Sequence, residues 1–387
     1  MNYPTFLRET TFAISGGRRY RGEDAVKARF LKVAMAIGLA SIAAPGLIAQ
    51  ETARPVFKPD GAVQVPAFEL PPSIFMSKEA IDSLRMKAMM PPMQSSPRTE
   101  TIAETRQFME QQLAPMLQMM KARYPVDVAE MKIGGVATRV FTPKDGKIDK
   151  KRVLINLHGG AFQMCADGCA QLESIPIAAL GGFKVISVDY RQGPEHVFPA
   201  ASEDVASVYR ELLKTYKARQ IGIYGCSAGG MLSGQAAAWL PAHGLPQAGA
   251  IGIFGSGSAK MGVGDSAYVT AYTDGTFPAP RGPDAPMRFG PFRSYFEGAD
   301  MSSPMVLPAQ DLGVLAKFPP TLVITGSRAM DMSPAIYTNS RLLKAGVDSR
   351  LIVGEGLGHC YIYQANLPEA QDAYDVIVKF FRASLGK

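Results

Sequence analysis

At 387 residues the chain can bury a large core, as one big domain or a domain with a lid, and an apolar fraction of 47% with 19% charged residues speaks against a disordered or low-complexity chain. No internal period suggests a repeat architecture. The formal charge of +7 is uneven: residues 1–49 hold seven basic and three acidic side chains, and the rest has no basic stripe, so nucleic-acid binding is not expected.

The chain opens with basic residues followed by an uncharged run, Val33 to Ala49, and small residues that suit cleavage after Ala49. That is the layout of a secretory signal peptide over 1–49. The run is shorter than the roughly 20 apolar residues of a spanning helix, so no stable membrane span is expected. An uncleaved anchor and an ordinary buried helix are the alternatives. The basic region is long, which leaves room for a translation start downstream of Met1. No cysteine follows the apolar run, against a lipoprotein. The expected location is periplasmic or secreted.

Residues 50–75 are proline-rich and extended, and a helical stretch is expected from Ser77 to Ala122. Nine of the 20 methionines lie between Met76 and Met120. Soft, unbranched methionine suits irregular apolar cavities, as packing filler or as a lid over an apolar pocket. The segment 50–130 is expected as an extended arm and a helical stretch, ahead of a second domain over 131–387.

From Val136 apolar runs alternate with helical stretches. Strands are expected at 137–142, 152–157, 184–190, 220–225, 250–255, 321–326 and 349–354; helices at 170–180, 200–217, 228–240, 334–345 and 368–384. Near-continuous apolar strands alternating with helices mark an α/β protein with a buried, mostly parallel sheet. The segment 259–305, rich in glycine, proline and aromatics, breaks the alternation and is expected as a pocket or cap insertion.

The sequence Gly225-Cys226-Ser227-Ala228-Gly229 places a G-x-S-x-G motif between an expected strand and an expected helix. In that context it sets a serine nucleophile on a tight turn at a helix N-terminus, with the Ala228 amide able to face an oxyanion. The bland alternative is a glycine-rich connection. A serine needs a base, and the chain has four histidines: His158, His196, His243 and His359. His359 follows the last strand and precedes the last helix, where a Ser-Asp-His chain order puts the base. His158 opens HGGAF, whose Gly159 and Gly160 amides are expected as the other oxyanion donors, with His158 ordering the loop.

Cys165 and Cys169 are close enough in sequence for a local bridge, and Cys226 and Cys360 flank the expected serine and histidine. An exported protein can keep disulfides, but the pairing stays open, with four buried thiols as the alternative. No zinc-type cluster, phosphate loop or dinucleotide fingerprint appears, so neither metal nor cofactor is expected.

The set HGGAF (158–162), DYRQGPEHVFPAASED (189–204), GCSAGG (225–230), PPTLVITG (319–326), LLKAGV (342–347) and GLGHCY (356–361) resembles the hormone-sensitive-lipase branch of the α/β-hydrolases, the bacterial family IV esterases, from about Ser73 onward. The resemblance implies the α/β-hydrolase fold with an N-terminal helical cap, and carboxylester hydrolysis by a Ser-Asp-His triad with HGG amides as oxyanion donors. Three positions depart from the pattern. Ala161 replaces the third glycine of HGGG, a mild change because the two preceding amides do the work. Cys226 replaces the aspartate of GDSAGG. The family's acid position reads Ala329.

The nearest carboxylate to that position is Asp331, assigned here as the triad acid; its alternative is a helix N-terminal carboxylate. Asp265, in the loop after the preceding strand, is the runner-up acid, and Glu355 is expected in a turn. The expected function is thus a serine carboxylesterase acting on small-to-medium apolar or aromatic esters through an acyl-enzyme. Amide, carbamate or lactone hydrolysis on the same triad, and a non-catalytic ligand-binding protein on this fold, are the alternatives. The expected partner is a small-molecule ester substrate, with homodimerisation left open.

Overall fold

The computed structural model describes residues 54–89, 101–144, 148–282, 285 and 292–386. The expected signal peptide at 1–49 lies outside the described residues, as do Met90 and Met93. Contacts divide the chain after Phe68 into two compact units. In the first, strands β1 (Val56–Phe57) and β2 (Val63–Gln64) form an exposed antiparallel hairpin.

The second unit opens with helices α1 (Lys78–Met89) and α2 (Ile102–Arg123). The sheet that follows comprises β3 (Val126–Ile133), β4 (Val136–Pro143), β5 (Asp149–Leu157), β6 (Phe183–Val188), β7 (Ile221–Cys226), β8 (Ala250–Phe254), β9 (Thr321–Gly326) and β10 (Ser349–Gly354). Between them run α3 (Gly168–Gly181), α4 (Ala200–Leu212), α5 (Ala228–Ala242), α6 (Asp265–Thr273), the short α7 (Leu312–Leu315) and α8 (Met332–Lys344), and α9 (Pro368–Ser384) closes the chain.

The strand order is β10-β9-β8-β7-β5-β6-β4-β3. Every pair from β10 to β6 is parallel, and β4 pairs antiparallel with both β6 and β3. The inner strands are apolar on both faces because both faces are covered. Leu154, Tyr224 and Leu322 enter one buried cluster with α3 and α9. Their neighbours Val153, Ile155, Ile223 and Val323 enter a second cluster with α4, α5 and α8. Strand β3 was not anticipated: VDVAEMKI is exposed along nearly its whole length, so it lacks the apolar run that betrays the inner strands. Helix α6, inside the expected 259–305 insertion, was likewise missed.

The amino-terminal helices of this unit are tied to the rest by polar contacts. Thr101 caps α2 in a reciprocal box with Glu104. Glu110 of α2 accepts the Asp167 and Gly168 amides at the start of α3, at 3.3 and 2.8 Å. Arg106 pairs with both carboxylate oxygens of Glu195 and donates to the carbonyls of Gln163 and Gly193, which clamps the segment after HGGAF. The methionines divide: Met120 is fully buried, whereas Met86 and Met89 are exposed. Among the described residues, no helix is long and apolar enough to cross a membrane.

Candidate active site

Strand β7 ends at Cys226 and α5 begins at Ala228, so Ser227 alone makes the turn, with φ +58° and ψ −120°. A non-glycine residue in that region is strained and persists only where its surroundings force it. The surroundings here are backbone. A Cβ on Gly225 would lie 2.0 Å, and one on Gly229 1.6 Å, from the Leu157 carbonyl oxygen of β5. Both positions must be glycine for α5 to start against the sheet, and the Ser227 amide is fixed by donation to Phe254 O at 2.8 Å.

Facing this turn, His359 Nε2 lies 3.0 Å from Ser227 Oγ, and its Nδ1 lies 2.5 Å from Asp331 Oδ1. Asp331 accepts, so Nδ1 carries the ring proton and Nε2 is free to accept from the serine. Asp331 is fully buried and its second oxygen accepts from Thr325 Oγ1 at 2.6 Å. Asp331 and His359 sit on two loops that are zipped together: Arg328 N–H donates to Leu357 O, and Gly356 N–H to Ser327 Oγ. Asp265, the runner-up acid, is exposed at the first position of α6 and takes no part in this chain of hydrogen bonds. Its neighbour Ser266 instead braces the acid loop, donating to Met330 O and accepting the Ser333 amide, both at 2.9 Å. Glu355 is exposed, as are His196 and His243.

The HGGAF loop corrects one expectation. The Gly159 amide does not stand open to an oxyanion; it donates to Glu173 Oε1 at 2.9 Å. The next two amides, Gly160 and Ala161, donate to no acceptor among the described residues, and neither does that of Ala228. Ala161 and Phe162 both have positive φ, so the loop turns in a way that leaves these amides unpaired within it. The Ala161 amide, a backbone group that glycine would supply equally, is the candidate donor in place of that of Gly159. His158 is completely buried, stacks on Tyr190 at 4.3 Å and places Nδ1 2.7 Å from Gly159 O. Burial pushes its pKa down to about 4, so it holds the loop as a neutral ring.

Glu173 was missed altogether. It is the one charged residue of α3 and is almost completely buried. Its carboxylate accepts from the Gly159 amide and Tyr363 Oη on one oxygen, and from Asn156 Nδ2 and the Cys226 amide on the other. Burial pushes its pKa up to about 7, against the pull of those four donors. Its signal in the sequence was a lone charge in an otherwise uncharged helical stretch.

The cysteines form two disulfides, Cys165–Cys169 and Cys226–Cys360. The first lies at the end of the HGGAF loop. The second joins the residue before Ser227 to the residue after His359. A Cβ on Gly255 would meet both sulfurs of that bridge and the His359 ring, so bridge and imidazole share one tight space. The Phe277 ring stands edge-on to His359 at 5.3 Å. Among the described residues, no group of three or more His, Cys, Asp or Glu is arranged to hold a metal ion.

A buried parallel sheet with a strained serine at the end of a central strand, a histidine after the last strand and a carboxylate after the strand before it define an α/β-hydrolase. The sequence profile of the α/β-hydrolase fold matches residues 154–363, more than half of the chain, and the chain belongs to that family. Over 239 residues it is 29% identical to an acetyl-hydrolase of Streptomyces hygroscopicus, 61% of this chain and 77% of that one. Over 122 residues it is 35% identical to a versiconal hemiacetal acetate esterase of Emericella nidulans, a match spanning 30% of this chain and only 41% of that protein. Esterase E25 superposes with a TM-score of 0.72 at 27% identity, covering 84% of this chain and 99% of its own. An esterase of the bacterial hormone-sensitive lipase family gives 0.67 at 26% identity, covering 80% and 97%. Within the fold family the chain stands on this hormone-sensitive-lipase-like branch, and its class is carboxylic ester hydrolase.

Proposed function

We propose that the protein is an exported serine carboxylesterase that cleaves small-to-medium apolar or aromatic esters through an acyl-enzyme. What carries this reading is the hydrogen-bonded chain Asp331–His359–Ser227, beside the unpaired amides of Gly160, Ala161 and Ala228. His359 Nε2 takes the Ser227 proton as Oγ attacks the ester carbonyl, and Asp331 stabilises the imidazolium that forms. The three amides donate to the tetrahedral oxyanion, each such donor being worth about 3 kcal/mol of barrier. His359 then protonates the leaving alkoxide. Water repeats the sequence on the acyl-enzyme, and the acid leaves with Ser227 restored.

The names of two relatives refer to acetyl or acetate groups, which supports a short acyl chain. The Phe277 ring at His359 supports an apolar entrance. Two disulfides fit an oxidising compartment and support export. The test is a panel of p-nitrophenyl and aryl esters, with covalent labelling by a fluorophosphonate. Ser227→Ala is expected to lower kcat by at least about 1,000-fold and abolish labelling. Wild-type protein that neither labels nor hydrolyses any ester would leave the non-catalytic alternative. Activity confined to amides or to charged esters would overturn the substrate assignment.

A further inference from the structure

We infer that Glu173 is a positioning residue whose carboxylate holds the oxyanion loop, the serine turn and the histidine loop in register. This rests on the serine-esterase reading above and adds to it a group that never touches substrate.

The inference follows from what the four donors are attached to. The Gly159 amide, 2.9 Å from Oε1, immediately precedes the unpaired amides of Gly160 and Ala161. The Cys226 amide, 3.1 Å from Oε2, belongs to the residue before Ser227. Tyr363 Oη, 2.6 Å from Oε1, lies four residues after His359. Asn156 Nδ2, 2.8 Å from Oε2, anchors the carboxylate to strand β5, and Asn156 is itself fixed by Ser187 Oγ at 2.7 Å. The three segments are also in close approach around this point. A Cβ on Gly159 would stand 2.9 Å from Tyr363 Oη and 3.1 Å from Cys226 O.

The cage suits an ionised carboxylate, which alone accepts from all four donors; only the Tyr363 hydroxyl could turn to accept from a protonated one. Two oxygens accept four hydrogen bonds, and three of the donors, two backbone amides and a side-chain NH2, cannot reverse their role there. The carboxylate thus ties three segments of the site together from α3. Burying the charge is unfavourable for the fold.

The discriminating variant is Glu173→Gln. The amide keeps the shape but has one acceptor oxygen, so its NH2 must face at least one backbone donor. Relief of the buried charge and the orphaned donor are opposing effects of similar size. Tm at pH 8 is therefore expected to stay within about 3 °C of wild type, while kcat on p-nitrophenyl acetate falls about 10- to 100-fold with KM changed less than about threefold. Tyr363→Phe, which frees only the histidine-side tie, is expected to lower kcat about three- to tenfold at constant KM.

A Glu173→Gln enzyme with wild-type kcat overturns the inference, and so does one whose loss tracks only a smaller folded fraction. If Glu173→Gln does not fold, an unchanged kcat in Tyr363→Phe overturns it equally. An inactive wild type would instead defeat the esterase reading, so the two failures are separable.

Discussion

The turn that carries Ser227 and the loops that carry Asp331 and His359 meet at hydrogen-bond distance, yet they are held in different ways. The serine turn is fixed by its own backbone. Gly225 and Gly229 pass so close to Leu157 O that no side chain fits at either place, and Ser227 is left at φ +58°. The acid and histidine loops are fixed from outside: by a disulfide from β7, by hydrogen bonds between the loops, by Ser266 of α6 and, through Tyr363, by Glu173. Local sterics admit few residue types and so leave a motif. Long-range support can be supplied by many residues from many places and so leaves no motif.

The largest expected effect probes Asp331. Asp331→Asn should keep the hydrogen-bond geometry but favour the wrong histidine tautomer, lowering kcat by about 1,000- to 10,000-fold. Asp265→Asn should stay within about twofold of wild type, since Asp265 is exposed on α6. The comparison between turn and loops would break if Asp265→Asn were the damaging change. It would then follow that the loop around Asp331 rearranges in the working enzyme.

This contrast also explains what could be read beforehand. Seven strands and five helices of the α/β core were legible because a buried sheet imposes continuous apolar runs, and G-x-S-x-G and HGGAF were legible because close backbone contacts impose glycine. Strand β3 was not, being an exposed edge with little apolar signal. Glu173 was not, because its partners are spread from Asn156 to Tyr363 and only the fold assembles them. The HGGAF loop departs from its reading at Gly159, whose amide is already paired. Which amide of HGGAF is free depends on Glu173 capturing that of Gly159, and nothing within the motif itself signals this capture.

The next effect sharpens the comparison by cutting one external tie. Cys226 and Cys360 are 134 residues apart in sequence, so their bridge closes a long loop. Removing it by Cys226→Ala/Cys360→Ala should lower stability by about 5 kcal/mol on the chain-entropy account. Because the bridge shares its space with the His359 ring, kcat should also fall, by about tenfold, with Ser227 still labelled by a fluorophosphonate. Denaturant unfolding and steady-state kinetics on the same preparation separate the two effects. Lower stability with an unchanged kcat would mean that the tether holds the fold and leaves the imidazole to the acid loop alone.

The smallest effect sets stability against activity at Glu173. Its pKa rises from 4.5 to about 7 in the folded protein, chiefly because burial disfavours the charge. Folded protein therefore binds this proton more tightly than unfolded chain does. The stabilisation is fully present below about pH 4.5 and is lost as the pH rises towards about 7. Glu173→Gln removes this dependence and leaves other titrating groups in place. The stability of wild type relative to the variant should thus decline across that window, by about 3 kcal/mol at most. Activity should move the other way, because only the ionised carboxylate accepts all four donors. Stability-versus-pH curves by denaturant unfolding that run parallel for the two proteins would show that Glu173 is already ionised throughout the window. The four donors would then outweigh burial, and the carboxylate would be a support of the fold as well as of the site.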